Sequence, residues 1–301
     1  MGSLKTKLLL AYFDENNQIV SLCKTNELTC LSCGMYEAGG NILTENAQAT
    51  IEEILRLKKI IQQHNCDKVR LFATHALRNA ANKEWVIEQI KEKTGYDVEI
   101  IGAEEEGKLY FEATLGDFPE GQDFALVDMG GGSCQVLFGS KGDLKTSFSF
   151  KTGAQFLHET FIDNPHSPES FTTKENIEKM REHLLNEYAV LPDGLTAPLI
   201  YGSSNIIDLM KVLNIPLEPY EDAPNHPYRT HAGRLNDFLN HIIGFSHRVR
   251  DEMYPSFQTG YLWGVDKAFL NIITLSDKFN SPYILPTNAS IMEGFLRKIK
   301  Q

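Results

Sequence analysis

An acid, three glycines and a hydroxyl stand between two apolar runs in the stretch Phe-Ala-Leu-Val-Asp-Met-Gly-Gly-Gly-Ser-Cys-Gln-Val-Leu-Phe-Gly, residues 124–139. Glycines set directly after a buried strand let successive backbone N–H groups converge with no Cβ atoms in the way, which makes a nest for phosphate oxygens. Gly130, Gly131 and Gly132 supply that backbone, and Ser133 adds a hydroxyl donor. Asp128 cannot serve phosphate directly, because like charges repel. At a strand end its chemistry is to hold a divalent cation or to orient a water. The stretch reads as a seat for a phosphate beside a metal. The bland alternative is a tight glycine hairpin with a capping Asp.

Other chemistry-bearing residues carry weaker signals. Arg78 offers a planar guanidinium fork that suits phosphate oxygens, although a lone arginine is more often a surface ion-pair residue. Glu104, Glu105 and Glu106 repel one another at a helix start, which can keep one of them poised to take a proton; by themselves they are ordinary residues for a helix amino terminus. Cys30 and Cys33 have C-x-x-C spacing but no second pair and no nearby histidine, so they read as two small residues in a strand. His226, His231, His241 and His247 show no i, i+4 pair with a third ligand and read as surface histidines. Trp85 and Trp263 read as helix-packing residues, with no cue for base stacking.

The elements that must position these groups alternate between strand and helix. Residues 7–13, 18–24 and 28–33 form an expected meander, and a helix runs from about Asn46 with Ala47, Ile51, Ile54, Leu55 and Ile61 on one face. A strand at 69–74 follows, then a helix at 83–94 capped by Asn82 and closed by Gly95, a strand at 97–101 and a helix at 104–115. The polar, turn-rich segment 116–123 marks the expected domain boundary, giving domains at 1–118 and 119–301. Beyond it a second strand-turn-strand-turn-strand pattern opens, which suggests a divergent duplication. Helices then dominate, with a late strand near Tyr283 and a terminal helix that packs back on the first domain.

Composition bounds the partners. The 301 residues are 42% hydrophobic and 23% charged, with no apolar run near the roughly 18 residues of a membrane span. Forty acidic against 29 basic residues give a net charge of −11, which argues against nucleic-acid and anionic-membrane binding. Five cysteines at irregular spacing suit a reducing compartment, and the short apolar run near the start is too short for a secretory signal, so the expected location is the cytoplasm.

Two segments carry a family resemblance. Residues 73–113, Ala-Thr-His-Ala-Leu-Arg-Asn-Ala-Ala-Asn followed by Gly-Ala-Glu-Glu-Glu, together with the Asp128 turn, resemble the exopolyphosphatase and guanosine pentaphosphate phosphohydrolase (Ppx/GppA) family. Its motifs are A-T-x-A-x-R-x-A-x-N, G-x-E-E-A-R-L and D-I-G-G-G-S-x-E. Gly153, the Gly202, Ser203, Ser204 loop and Glu293-Gly294 suit further family positions. The resemblance implies an α/β fold of two ribonuclease-H-like domains of the actin-like ATPase superfamily, with a cleft between them. It also implies a hydrolase that releases terminal phosphate from polyphosphate or guanosine pentaphosphate. Arg78 would clamp substrate, Glu105 would be the base, Asp128 would hold Mg2+ with Gln135, and Gly130 to Ser133, with Gly202 and Ser204, would cradle phosphate.

The chain departs from that pattern in four places. The family's first strand and its D-x-G-S-N-S loop are missing before Leu8, so either residues 2–7 rerouted or a neighbouring chain, making a homodimer, must fill the sheet. Gln135 stands where the family has Glu, which weakens metal affinity. Asn205-Ile206 replaces Gly-Thr, and Asp266 is an acid that no motif places. These changes predict slow hydrolysis. The competing reading is a non-catalytic polyphosphate- or (p)ppGpp-binding regulator, and a sugar or acetate kinase of the same superfamily is the weakest.

Overall fold

The computed structural model describes residues 1–115, 118, 121–195, 197–203, 205–220 and 228–300. The chain forms two compact units, Met1–Glu106 and Gly107–Gln301. The first contains β1 (Lys5–Phe13), β2 (Ile19–Leu28), α1 (Thr44–Gln63), β3 (Leu71–Ala73), α2 (His75–Asn79), α3 (Lys83–Thr94) and β4 (Val98–Ile100). Helix α4 (Ala103–Leu115) begins there and continues into the second unit. The second then runs through β5 (Asp123–Met129), β6 (Cys134–Ser140), β7 (Asp143–Phe150), α5 (Ala154–Phe161), α6 (Lys174–Glu187), β8 (Leu199–Gly202) and α7 (Ile206–Val212). It closes with β9 (Glu218–Pro219), β10 (Tyr228–His231), α8 (Ala232–Ile242), α9 (His247–Met253), α10 (Val265–Phe279), β11 (Tyr283–Thr287) and α11 (Ile291–Lys300).

In the first unit the expected single mixed sheet is two separate pairs among the described residues: β1 with β2, antiparallel, and β3 with β4, parallel. The third strand of the expected meander does not form. Cys30 takes a left-handed φ of 49°, and the Thr29 and Cys30 N–H groups both turn to the Leu4 carbonyl, so Cys30 and Cys33 lie in a turn. The chain start lies along β3, where the Met1 amino group donates to the Phe72 carbonyl and the Thr74 N–H donates to the Met1 carbonyl. Helix α1 buries Ala47, Ile51, Ile54 and Leu57; Leu55, expected on that face, is exposed, because the buried stripe follows the i, i+3, i+4 spacing through Leu57. Helix α3 ends at Gly95 with φ 79°, while the Asn82 side chain holds the Ile42 backbone from both its N–H and C=O instead of capping the helix.

The second unit is built on a seven-stranded sheet of order β7-β6-β5-β8-β11-β10-β9, with β5, β8 and β11 parallel. Side chains alternate along each strand. Ala125, Val127, Tyr201 and Ile284 face the large core under α6, α8 and α10. Phe124, Leu126, Leu137, Ile200 and Leu285 face a smaller core closed by Tyr110, Phe111 and Leu115 of α4. That packing explains why α4 clusters mainly with this unit; of the expected boundary segment 116–123, residues 116, 117, 119 and 120 lie outside the described residues. Gly294 of α11 sits against the Leu109 carbonyl of α4, so the terminal helix packs within the second unit.

Candidate functional site

The 130–133 turn is a hairpin between β5 and β6, closed by the Gly130 N–H donating to the Ser133 carbonyl at 2.9 Å. Its carbonyls are turned toward α5: Gly130 accepts from Ala154 at 3.0 Å, and Gly131 accepts from Gln155 and Phe156 at 2.8 and 3.0 Å. Gly153, the N-cap of α5, lies so close that a Cβ there would come 2.4 Å from the Gly131 carbonyl oxygen and 2.5 Å from the Ser133 nitrogen. The preceding Thr152 is fixed in turn, because its hydroxyl bonds Tyr188 and its carbonyl accepts from Asn271, all fully buried. With the carbonyls so engaged, no carbonyl among the described residues accepts from the N–H groups of Gly131, Gly132 or Ser133. Three consecutive donors without a backbone acceptor are the raw material of an anion-binding nest.

Beside the turn, strand register sets a row across the sheet. Asp128 pairs with Gln135 on one side and with Gly202 on the other, and Gly202 pairs with Thr287. By alternation the row lies on the α4 face, with Phe124 and Leu126. Gln135 is 2% exposed, and its Nε2 has no hydrogen-bond partner among the described residues. At Gly202 the side-chain place is taken by Tyr110 of α4, whose hydroxyl lies 1.4 Å from where a Cβ would stand. Burial, and next the charge of Asp128, push the Tyr110 phenol well above its usual range, so it is a donor at any physiological pH. Neither Tyr110 nor Thr287 was anticipated from sequence. The one signal for Tyr110 was an aromatic pair, Tyr110-Phe111, on a helix with an acidic start.

Arg78, at the end of α2, spends its Nη1 on the Ile101 carbonyl at 2.7 Å and on Glu106 Oε2 at 2.9 Å. The Nε and Nη2 edge of its fork meets no acceptor among the described residues. Of the three acids opening α4, Glu106 is the buried partner of Arg78, while Glu105 is half-buried. Arg78 and Glu105 belong to the first unit, and Asp128, Gly130, Gly131, Gly132, Ser133, Gln135 and Gly202 to the second. Ser204 and His226 lie outside the described residues.

A resident cation has one carboxylate of the row to bind, that of Asp128. Among the described residues no three His, Cys, Asp or Glu side chains come together as a metal cage. Mg2+ commonly needs only one or two carboxylates, completing its shell with waters and phosphate oxygens. The residues fit a cation shared with a bound phosphate, and no fuller cage.

A second polar cluster was not legible in the sequence. Asp266, Lys267 and Arg250 are fully buried, with Asp266 Oδ1 3.1 Å from Arg250 and 3.0 Å from Lys267, and Lys267 donates to Thr172 at 2.7 Å. His247, expected at the surface, is buried and stacked on Trp263 at 4.4 Å, with His158 5.0 Å away. It is internal because its Nδ1 bonds the Ser167 carbonyl beneath the loop before α6.

A sequence profile described as the Ppx/GppA phosphatase family matches residues 13–256. The chain is 23% identical over 226 residues to exopolyphosphatase 2 of Mycobacterium tuberculosis, covering 73% of this chain and 70% of that one. It is 27% identical over 155 residues to the guanosine-5'-triphosphate,3'-diphosphate pyrophosphatase of Photobacterium profundum, covering 51% of this chain and 31% of that one. Among solved structures it resembles the Ppx/GppA family member of Aquifex aeolicus, with a TM-score of 0.76 at 21% identity, covering 100% and 95% of the two chains. It also resembles an exopolyphosphatase of Cytophaga hutchinsonii, with a TM-score of 0.83 at 20% identity, covering 99% and 95%. At these identities the structural likeness establishes the shared α/β fold.

Proposed function

Because the chain belongs to the Ppx/GppA phosphatase family, we propose that it is a phosphoanhydride hydrolase that releases the terminal phosphate of inorganic polyphosphate or of guanosine pentaphosphate. The observation that carries this reading is the glycine turn, read as a nest: the N–H groups of Gly131, Gly132 and Ser133 meet no carbonyl among the described residues while α5 engages the turn's carbonyls, just after the strand that ends in Asp128 and Met129. In this reading the nest and the Ser133 hydroxyl take the oxygens of the terminal phosphate, and Arg78 is a phosphate-binding cation for the substrate. Glu105 accepts the proton of the attacking water. Asp128 would hold a divalent cation, which when bound would neutralise charge on the shortened polyphosphate or nucleotide that leaves.

Gln135 favours a second reading. A neutral amide opposite Asp128 cannot match a carboxylate for metal or proton, and a chain that binds such anions without turning them over has no need of one. Phosphate release separates the two. The hydrolase reading expects Mg2+-dependent release from long-chain polyphosphate or from guanosine pentaphosphate, falling about 100-fold or more in Glu105→Gln. It expects Arg78→Ala to weaken substrate binding by about 1.5–3 kcal/mol, as for a hydrogen bond to a charged group. Wild type and Glu105→Gln both at background, with binding intact, would establish the binding protein instead.

A further inference from the structure

The row of Asp128 contains two buried donors that the proposed chemistry does not use. The Tyr110 hydroxyl and the Gln135 Nε2 are each fully enclosed, and neither makes a well-formed hydrogen bond among the described residues, the Thr114 hydroxyl one turn along α4 being the side chain beside Tyr110. Gln135 is the cross-strand neighbour of Asp128 on β6, and Tyr110 occupies the side-chain place of Gly202, its neighbour on β8, so the two donors flank Asp128 from opposite strands. A buried polar atom without a partner costs about 1–3 kcal/mol, and phenylalanine would fill the same space over Gly202 without that cost. The hydroxyl therefore weakens the core unless something accepts from it. Buried waters characteristically join such atoms to a neighbouring charged group through two to four hydrogen bonds.

We propose that Tyr110 is a positioning residue for Asp128: its hydroxyl donates through one buried water to the Asp128 carboxylate, opposite Gln135, and so sets the orientation of the carboxylate beside the nest. The proposal rests on the reading of this row as part of a phosphate site. It adds a residue that acts on Asp128 rather than on substrate. Gly202 is then a glycine because the hydroxyl needs its side-chain place, and α4 sets the orientation of an acid on a strand it packs against.

Two measurements on the intact chain test it. The first is urea unfolding of wild type, Tyr110→Phe, Asp128→Asn and the double variant, with no substrate present. The proposal expects the midpoint shifts to be non-additive, the double variant losing less than the sum of the singles, as for residues in one hydrogen-bond network. Additive shifts would overturn it whatever the activity. The second is steady-state phosphate release from tripolyphosphate, where Tyr110→Phe should lower kcat about tenfold with KM within about twofold, the size of effect seen for groups that orient a ligating side chain. Measurable turnover with an unchanged kcat in Tyr110→Phe would also overturn it, since a purely structural tyrosine predicts that result. If wild type releases no phosphate while the midpoints are non-additive, the hydrolase reading falls and the Tyr110–Asp128 coupling stands.

Discussion

Single atoms decide the site in the second unit. A Cβ on Gly202 would meet the Tyr110 hydroxyl at 1.4 Å and its ring carbon Cζ at 2.6 Å, and Tyr110 is enclosed on all sides, so it has no room to yield. Gly202→Ala should destabilise the protein by about 1–3 kcal/mol through overpacking. Adding Tyr110→Leu should recover part of the loss by withdrawing the clashing atoms. Urea denaturation of the single and double variants checks this, and a Gly202→Ala protein as stable as wild type would contradict the close approach. Arg78 illustrates a different point at the same scale. Its ion pair with Glu106 explains why an arginine is structurally needed on α2, and the same guanidinium is what the proposed chemistry draws on.

At the scale of elements, the phosphate turn depends on the start of α5. Three carbonyl bonds from the turn to α5, and the contact at Gly153, fix the backbone that carries the N–H groups of the nest. The Tyr188–Thr152–Asn271 network holds the residue before Gly153 in place. A methyl at Gly153 would press on backbone, which cannot swing aside as a side-chain tip can. Gly153→Ala should therefore shift the turn and weaken binding of tripolyphosphate by about tenfold, equivalent to about 1.4 kcal/mol or one hydrogen bond to a charged ligand. Titration calorimetry reads this directly, and unchanged affinity would remove the turn from the binding site. Helix α6 offers a control, since Thr173 and Asn176 form a capping box remote in sequence from the turn. Thr173→Ala should lower stability by about 1 kcal/mol and leave that affinity unchanged.

Across the whole second unit, the buried cluster of Arg250, Asp266 and Lys267 shifts the titration of the groups packed around it. Burial alone would raise the Asp266 carboxyl, but Arg250 and Lys267 beside it outweigh that and hold it well below the usual carboxylate range. His247 moves the other way from its ordinary behaviour, pushed down to about 4 by burial and then by the Lys267 charge; burial and Lys267 lower His158 as well. A histidine whose folded pKa lies below its unfolded value near 6.5 leaves the unfolded state binding more protons, so its share of stability is intact above pH 6.5 and is lost as pH falls toward about 4. Asp266 adds its own loss only below the unfolded carboxylate range. Thermal melts should show Tm falling most steeply between about pH 6.5 and 4, with the buried Met1 amino group, lowered to about 5 chiefly by burial, adding a shallower fall that begins near pH 8. In His247→Phe the steep fall should lessen, and an unchanged acid limb would show that His247 does not govern it.

The strand–turn–strand around Asp128, the helix with its acidic start, the α/β class and the family were all legible in the chain. Each is a local pattern: an apolar run, a glycine triplet, a 3.6-residue period, a motif whose spacing survives without knowing what lies opposite. The third strand of the first meander was not legible, because alternation alone does not reveal that Cys30 adopts a left-handed turn and that the Leu4 carbonyl draws the chain away. Nor could periodicity show that α4 would bury its aromatic pair against β5, β6 and β8, so that a helix before the expected boundary joins the unit after it. The row Gln135, Asp128, Gly202 and Thr287 comes from strands up to 159 positions apart in numbering. Only register brings those residues side by side, and only the packing of α4 puts a tyrosine hydroxyl where one of them has no side chain. His247 was misread, and the charges around Asp266 went unplaced, for the same reason. A charged or aromatic residue in a polar helix looks solvent-exposed until the fold supplies the partners that satisfy it in the interior.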